Sequence, residues 1–333
     1  MNSPSMRTVP NPNCLFCGVP GEVLYSGLAD HLFLVPGSWQ LRQCADPKCG
    51  LVWTDPAPLA EDLGLAYQTY YTHAVSAGNS PGILQRASKS AYWAGVKLLS
   101  LMSGLYRERR RFKSMLLGDL SPGRLFDVGC GDGKFLRLMA EKGWRGSGMD
   151  FDAAAIENGR TNYGLDLSVG DFQTAHFDNG DFDAVTVTHV IEHVPDPLAC
   201  LKKCRELLRS GGRLVVTTPN VRSLGHERFQ RNWRGLEPPR HLHIFTPGLL
   251  AECARRAGLS VVRTGSTAAN ADYFANASLA IKNIRPDATG GIGGGWDRRF
   301  ALDAVAFQYR EYFTMHRHPD WGEEAFLVAE RSG

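Results

Sequence analysis

The sequence predicts an α/β protein in which seven strand-like runs alternate with helices, the pattern of a mostly parallel sheet covered on both faces. Three observations carry that expectation. Short apolar runs recur near Leu125, Trp144, Val169, Phe182, Arg213, Leu259 and Glu324. Helical apolar spacing fills intervals between them, as from Lys134 to Lys142 before a stop at Gly143. A bend carrying Gly129, Gly131 and Gly133 joins the first run to the first of these helices. With 333 residues, 43% apolar and 21% charged, the chain has enough material for one large domain and a small one. The expected division is 1–60, 61–120 and 121–333, the last with an insertion at 270–318.

The N-terminal unit is defined by its cysteines. Cys14-Leu-Phe-Cys17-Gly18 and Cys44-Ala-Asp-Pro-Lys-Cys49-Gly50 are two turns, each ending Cys-Gly, separated by an apolar run at Leu32-Phe-Leu-Val. Zinc ribbons are built this way, because a tetrahedral ion takes four thiolates from two hairpin tips and glycine lets N–H groups turn toward the sulfurs. Four residues between Cys44 and Cys49, rather than two, stay within known ligand spacing. Cys14, Cys17, Cys44 and Cys49 are therefore the expected ligands of a structural Zn2+, closed to chemistry by having four protein ligands. The remaining four cysteines, Cys130, Cys200, Cys204 and Cys253, read as packed thiols.

From Leu51 to His73 the chain is turn-rich and then aromatic, with Tyr67, Tyr70, Tyr71 and His73. Three tyrosines beside a histidine suit a lid better than a core, since each buried hydroxyl needs a partner. Residues 83–117 show helical spacing and complete a helical cap, which Pro122-Gly123 ends.

The central run, Leu125-Phe-Asp-Val-Gly-Cys-Gly-Asp-Gly133, reads as strand, glycine bend and helix start, a place where free N–H groups and missing side chains admit a nucleotide-type ligand. A dinucleotide fingerprint needs G-x-G-x-x-G, but Lys134 occupies its third glycine position and the extra glycine falls one residue early. The next run, Trp144-Arg-Gly-Ser-Gly-Met-Asp150, ends in an acid 23 residues after Asp127. A carboxylate there can accept both ribose hydroxyl protons. The third run ends Val169-Gly-Asp171-Phe172, a polar residue and an aromatic that suit an adenine amino group and ring face. The fourth ends at His189 and leads into Val190-Ile-Glu192-His193, and the fifth ends Pro219-Asn220.

This series resembles class I S-adenosylmethionine (SAM) methyltransferases, whose first motif is D/E-x-G-x-G-x-G. The resemblance implies a Rossmann-like seven-stranded sheet, mostly parallel, with the last strand antiparallel and the final two strands forming an antiparallel pair at the sheet edge. It implies cofactor contacts from Asp127, Gly129, Cys130, Gly131, Gly133, Asp150, Phe151, Asp171, Phe172 and His189. It covers 120–265 strongly and the cysteine unit moderately.

After the fifth strand, Arg222 to His243 holds arginine, tryptophan and the run Pro239-Arg240-His241-Leu242, similar to the "PRHL" loop of many small-molecule methyltransferases of this kind. A helix from Thr246-Pro247 to Gly258 and strands at Leu259–Arg263 and Glu324–Glu330 follow. The insertion between them has helices near Tyr273–Ile284 and Arg298–Phe313, and a glycine patch, 290–295, that follows no strand and reads as a hinge.

SAM carries its own electrophile, so the enzyme has to align an acceptor and, where needed, take its proton. Histidine suits that task near neutral pH. His241 is the expected base or acceptor-positioning residue, His193 and Tyr71 stand next, and His189 falls to the cofactor. No Asp/Asn/Glu set has the pattern of a magnesium-dependent catechol enzyme. Net charge is +3 and the basic residues are scattered apart from Arg107–Lys113, so a nucleic-acid partner is not expected. No run approaches a membrane span, residues 1–13 lack an apolar signal core, and eight cysteines in a chain this long fit a reducing compartment; a soluble cytoplasmic protein is expected. The predicted function is methyl transfer to a small-molecule acceptor, a sugar or natural-product intermediate, at oxygen or carbon. The rivals are a tRNA or rRNA methyltransferase, a non-catalytic SAM-binding protein and an NAD enzyme. Oligomeric state is left open.

Overall fold

The computed structural model describes residues 6–67, 100–177, 180–284 and 296–332. Its N-terminal part holds strands β1 (Thr8–Val9), β2 (Gly21–Leu28), β3 (Trp39–Cys44), β4 (Val52–Thr54) and β5 (Ala57–Pro58), then a 3-10 helix, Ala60–Tyr67. Helix α1 (Leu105–Lys113) precedes the main alternation: β6 (Arg124–Val128), α2 (Lys134–Ala140), β7 (Arg145–Asp150), α3 (Ala153–Tyr163), β8 (Asp166–Val169), β9 (Phe182–Thr188), α4 (Pro197–Leu207) and β10 (Leu208–Pro219). Helix α5 (Leu224–Phe229), β11 (His243–Ile244), α6 (Pro247–Arg256), β12 (Ser260–Thr267), α7 (Ala271–Lys282), α8 (Ala301–Thr314) and β13 (Glu324–Glu330) complete it.

The main sheet has seven strands in the order β12-β13-β10-β9-β6-β7-β8. β8, β7, β6, β9 and β10 are parallel, and β13 runs antiparallel between β10 and β12. Side chains of a strand alternate between faces, and the core divides accordingly. Phe126, Val185, Leu214, Val216 and Leu327 pack with Leu201, Cys204, Leu250 and Cys253 of α4 and α6. Their neighbours Leu125, Ala184, Val215, Phe326 and Val328 pack with Leu136, Met139 and Ile156 of α2 and α3. Cys200, Cys204 and Cys253 lie in the first layer and Cys130 in the second, as packed thiols.

The helix starts follow local chemistry. Asp152, Asp196 and Thr246 each cap a helix by accepting from N–H groups of its first turn, and Pro197 and Pro247 stand where a missing N–H costs nothing. The helix beginning at Thr246-Pro247 lies as the sequence predicts.

The cysteine-bearing unit does not stand apart. Its sheet has the order β11-β4-β3-β2, so residues 243–244 supply its edge strand. Cys14, Cys44, Cys49, Leu51 and Trp53 share a core cluster with Phe245, Leu249 and the α6 residues. Arg222 and Arg256 donate to the carbonyls of Pro47 and Phe16, at 2.7 and 2.9 Å. The predicted lid residues Tyr70, Tyr71 and His73, residues 83–99 of the cap and the glycine patch at 290–295 lie outside the described residues.

Candidate active site and cysteine cluster

The glycine bend after β6 is held from behind. Gly129 and Cys130 donate to the Met149 carbonyl at 2.8 and 3.2 Å, and Gly131 N–H donates to Asp150 Oδ2 at 2.9 Å. The other Asp150 oxygen accepts from Asp152 N–H at 2.9 Å. The acid expected to meet a ribose thus also clamps the turn, while each oxygen keeps a lone pair. Gly129, Gly131 and Gly133 all have positive φ, but their surroundings differ. A side chain on Gly129 would strike Val190 at 2.3 Å and one on Gly133 would strike Leu165 at 2.5 Å, whereas nothing lies within 4 Å at Gly131. The bend is closed at two glycines and open at the third.

Asp127 lies beneath the bend, 4% exposed, and accepts from Thr186 Oγ1 at 2.6 Å. Burial pushes its carboxyl up to about 7; the Thr186 hydroxyl pulls the other way and the Asp150 charge adds to the rise. Gly170 N–H donates to the Asp150 carbonyl at 2.9 Å, which sets Asp171 beside that strand tip. Asp171 is exposed and Phe151 keeps 58% of its surface, but Phe172 is buried against Phe126 and Phe177. His189, with φ 53°, begins the turn that places Val190 over Gly129. Its Nδ1 lies 3.1 Å from Glu192 Oε1 and its Nε2 2.7 Å from Glu324 Oε1. Burial opposes its charge, yet the two carboxylates outweigh that and lift the imidazole to about 10.

The expected bases, His193 and His241, come together with a ring separation of 4.7 Å. His241 is buried and its Nδ1 donates to the Gly235 carbonyl at 2.7 Å. Burial, aided by the charges of His193 and Arg234, holds it well below its usual value, and burial lowers His193 as well. His193 is half-buried and its Nδ1 lies 3.0 Å from both the Arg240 carbonyl and the Tyr67 hydroxyl. Tyr71, the third expected catalytic residue, lies outside the described residues; Tyr67, four positions earlier, holds a place in the site. Its ring meets Phe151 edge-on at 4.9 Å, so it bridges the cofactor side and the histidines.

Arg240 explains why the loop sits here. Fully buried, it donates to Asp30 twice at 2.9 Å, to Glu237 Oε1 at 2.7 Å and to the Ala66 carbonyl at 3.2 Å. Arg234 adds a second cation on Glu237. The Arg240 main chain meets His193 while its side chain holds the residue before Tyr67. Nothing in the sequence spacing pairs residue 30 or 66 with 240. Glu192 was equally hard to read: it is fully buried, accepts from Thr218 Oγ1 at 2.9 Å, and its carbonyl takes the N–H of Leu242 at 2.8 Å.

The four N-terminal thiols lie within 4.8 Å of one another, with Cys14 and Cys49 sulfurs 3.6 Å apart and those of Cys17 and Cys44 3.3 Å apart. A tetrahedral zinc with bonds of about 2.3 Å spaces its sulfurs by roughly 3.8 Å, close to these values.

A methyltransferase-domain family model matches residues 102–264. The ubiquinone biosynthesis O-methyltransferase of Thiobacillus denitrificans is 32% identical over 169 residues, 44% of this chain and 69% of that protein. The protein of the same name from Xanthomonas oryzae pv. oryzae is 37% identical over 109 residues, 31% of this chain and 45% of that protein. The chain thus spans a little under half the length of that relative. A solved SAM-dependent methyltransferase of Thermotoga maritima, described as a possible histamine N-methyltransferase, aligns over 74% of this chain and 96% of its own at 17% identity, with a TM-score of 0.44. The strand–glycine bend–helix cradle, the family match and the Thiobacillus relative together define the class. The chain belongs to the class I SAM-dependent methyltransferases.

Proposed function

We propose that the protein transfers the methyl group of SAM to an oxygen of a small-molecule acceptor. The observation that carries this reading is the open Gly131 between two closed glycines, with the Asp150 carboxylate at the tip of β7 bonded to that turn. A side chain there would fill the space, so the residues present fit the cofactor. Bound in that cradle, SAM supplies a sulfonium methyl that needs only an aligned nucleophile. Gly129, Gly131, Asp150 and the exposed ring of Phe151 are the proposed contacts, with Asp171 beside them and His189 fixing the loop that covers Gly129. Phe172 supports this wall from the core.

On the acceptor side, two imidazoles kept neutral by burial stand in series, His193 in front toward Tyr67 and His241 behind. A neutral imidazole can take a hydroxyl proton, so His193 is the proposed first receiver and His241 its support. The curated relatives are O-methyltransferases by name, which favours oxygen over carbon as the acceptor atom. A sugar or another natural-product intermediate fits this reading. We also propose a structural Zn2+ on Cys14, Cys17, Cys44 and Cys49. No helix among the described residues is long and apolar enough to cross a membrane.

The test is calorimetry of the pure protein with SAM and its demethylated thioether, followed by tritiated methyl transfer to phenols, nucleotide sugars and RNA. Binding of both ligands with label on a phenol or sugar is the expected result. Label on RNA would move the acceptor to the rival class. A heat signal only with a pyridine dinucleotide would refute the reading.

A further inference from the structure

We propose that Glu192, His193 and His241 form a second metal centre, a two-histidine, one-carboxylate site for a divalent first-row transition ion beside the cofactor turn. One ligand-type atom of each lies within 4.8 Å of those of the other two. Both imidazoles present Nδ1 to a main-chain carbonyl, that of Arg240 at 3.0 Å for His193 and that of Gly235 at 2.7 Å for His241. A carbonyl oxygen only accepts, so the proton sits on Nδ1 in each ring and the lone pair on Nε2. A ring N–H pinned to a backbone carbonyl is the support that orients metal-ligating histidines and fixes their tautomer.

The carboxylate is prepared in the same way. Glu192 is fully buried and held by Thr218 Oγ1 at 2.9 Å and His189 Nδ1 at 3.1 Å. No hydrogen bond joins Glu192, His193 and His241 to one another. Three groups that can each give a lone pair therefore gather here, and His241 Nε2 also faces a second carboxylate, Glu237 Oε2, at 3.5 Å. Bonds of about 2.1 Å would bring such atoms to roughly 3.4 Å from one another, so loading draws the three inward by side-chain adjustment.

Two imidazoles and one carboxylate suit zinc, iron, cobalt, nickel or manganese; magnesium prefers an all-oxygen shell. Three protein ligands leave coordination positions open, and half-buried His193 marks the side from which they are reached. The ion's role rests on the methyl-transfer reading: with both imidazole lone pairs bound to it, the ion rather than His193 would favour loss of the acceptor's hydroxyl proton to solvent and hold the resulting oxygen beside the cofactor. Its presence does not depend on that reading.

The experiment uses full-length protein with zinc in the cysteine site, titrated with Co2+ alone and followed by visible absorption and elemental analysis. The expected result is uptake of one Co2+ per chain with ligand-field bands of nitrogen and oxygen ligation and no thiolate charge-transfer band. His193→Gln and Glu192→Gln should each abolish that uptake, and His193→Gln, which leaves the Glu192–His189 contact in place, should keep calorimetric SAM binding within about threefold of wild type. No uptake by the zinc-loaded protein, uptake accompanied by a thiolate band, or undiminished uptake by a folded variant would overturn the proposal. Should a variant fail to fold, the wild-type titration decides alone. A protein that takes Co2+ as expected but binds no SAM would refute the methyl-transfer reading and leave the metal site standing.

Discussion

The Tyr67 hydroxyl lies 3.0 Å from His193 Nδ1, and the same ring stands edge-on to Phe151 at 4.9 Å. The Arg240 carbonyl shares that nitrogen, so the single Nδ1 proton is divided between two oxygens and the imidazole is fixed in one orientation. A residue ahead of the main sheet thereby sets the angle of a histidine behind its fourth strand. Tyr67→Phe keeps the ring and loses the hydroxyl. Removing a hydrogen bond of about 1 kcal/mol should lower kcat/KM roughly fivefold, with SAM affinity changed less than twofold. An unaltered kcat/KM in the radiolabel assay would show that Tyr67 does not position His193.

Glycine-to-alanine variants separate binding from folding at the cofactor turn. Gly131→Ala costs about 1 kcal/mol for its positive φ, and the added methyl group enters open space where the ligand belongs. SAM affinity should fall at least tenfold while the melting temperature drops by only a few degrees. Gly129→Ala meets Val190 at 2.3 Å, so its main effect should be on stability. Calorimetry and thermal melting of the two proteins check the contrast; equal loss of SAM affinity with no difference in melting would contradict it.

The sheet was legible because its information is local. Alternating runs such as Leu125-Phe126 and Leu214-Val215-Val216 announce two buried faces, and Gly-Cys-Gly-Asp-Gly announces a tight bend. The sequence also brings the four N-terminal cysteines and His193 with His241 into view. What stayed hidden depends on pairs distant along the chain. Asp30, Ala66 and Arg240 meet only after folding, and the edge strand 243–244 of the cysteine-bearing sheet is two residues of the loop that carries His241. Tyr67 was visible as one of several tyrosines, but no period or spacing distinguishes it from its neighbours. Phe172 reads equally well as a ring for adenine or for the core, and its place in the core depends on Phe126 and Phe177.

Arg240 is the tie between these parts. Replacing it with methionine leaves Asp30 and Glu237 buried with one cation fewer, a loss of about 3–5 kcal/mol. Arg240→Lys should fall between, because an ammonium cannot reproduce two parallel bonds to Asp30. Denaturant unfolding of both variants gives the order, and a methionine variant as stable as wild type would remove Arg240 from this role.

Stripping the thiolate site should reach the histidines. Cys44 ends β3, β3 pairs with β4, and β4 pairs with residues 243–244, next to His241. Treatment with a chelator strong enough to remove zinc should lower the melting temperature by several degrees and reduce methyl transfer, while the SAM cradle, built on β6 and β7, keeps its affinity. Zinc release without any change in melting would show that the four cysteines do not support the fold.

Stability should also carry a pH signature from a pair of acids away from the cofactor. Glu311 and Glu323 are fully buried, and the Oε2 atom of each meets no hydrogen-bond partner among the described residues. Glu323 N–H donates to Glu311 Oε1 at 2.7 Å, and Trp233 Nε1 donates to the Glu323 carboxyl. Burial pushes Glu311 well above the usual carboxylate range, with the Glu323 charge adding to it, and burial lifts Glu323 to about 8. The native state therefore holds protons that the unfolded chain has already lost above pH about 4.5. By linkage, this pair's contribution is most favourable below that pH and is withdrawn as pH rises toward 8 and beyond. Glu311→Gln keeps an acceptor for Glu323 N–H, supplies a donor and removes one of the two charges. Its melting temperature relative to wild type should rise by a few degrees between pH 5 and pH 9. Parallel melting curves across that range check this, and a constant difference would mean that the two carboxyls do not share the burden of deprotonation.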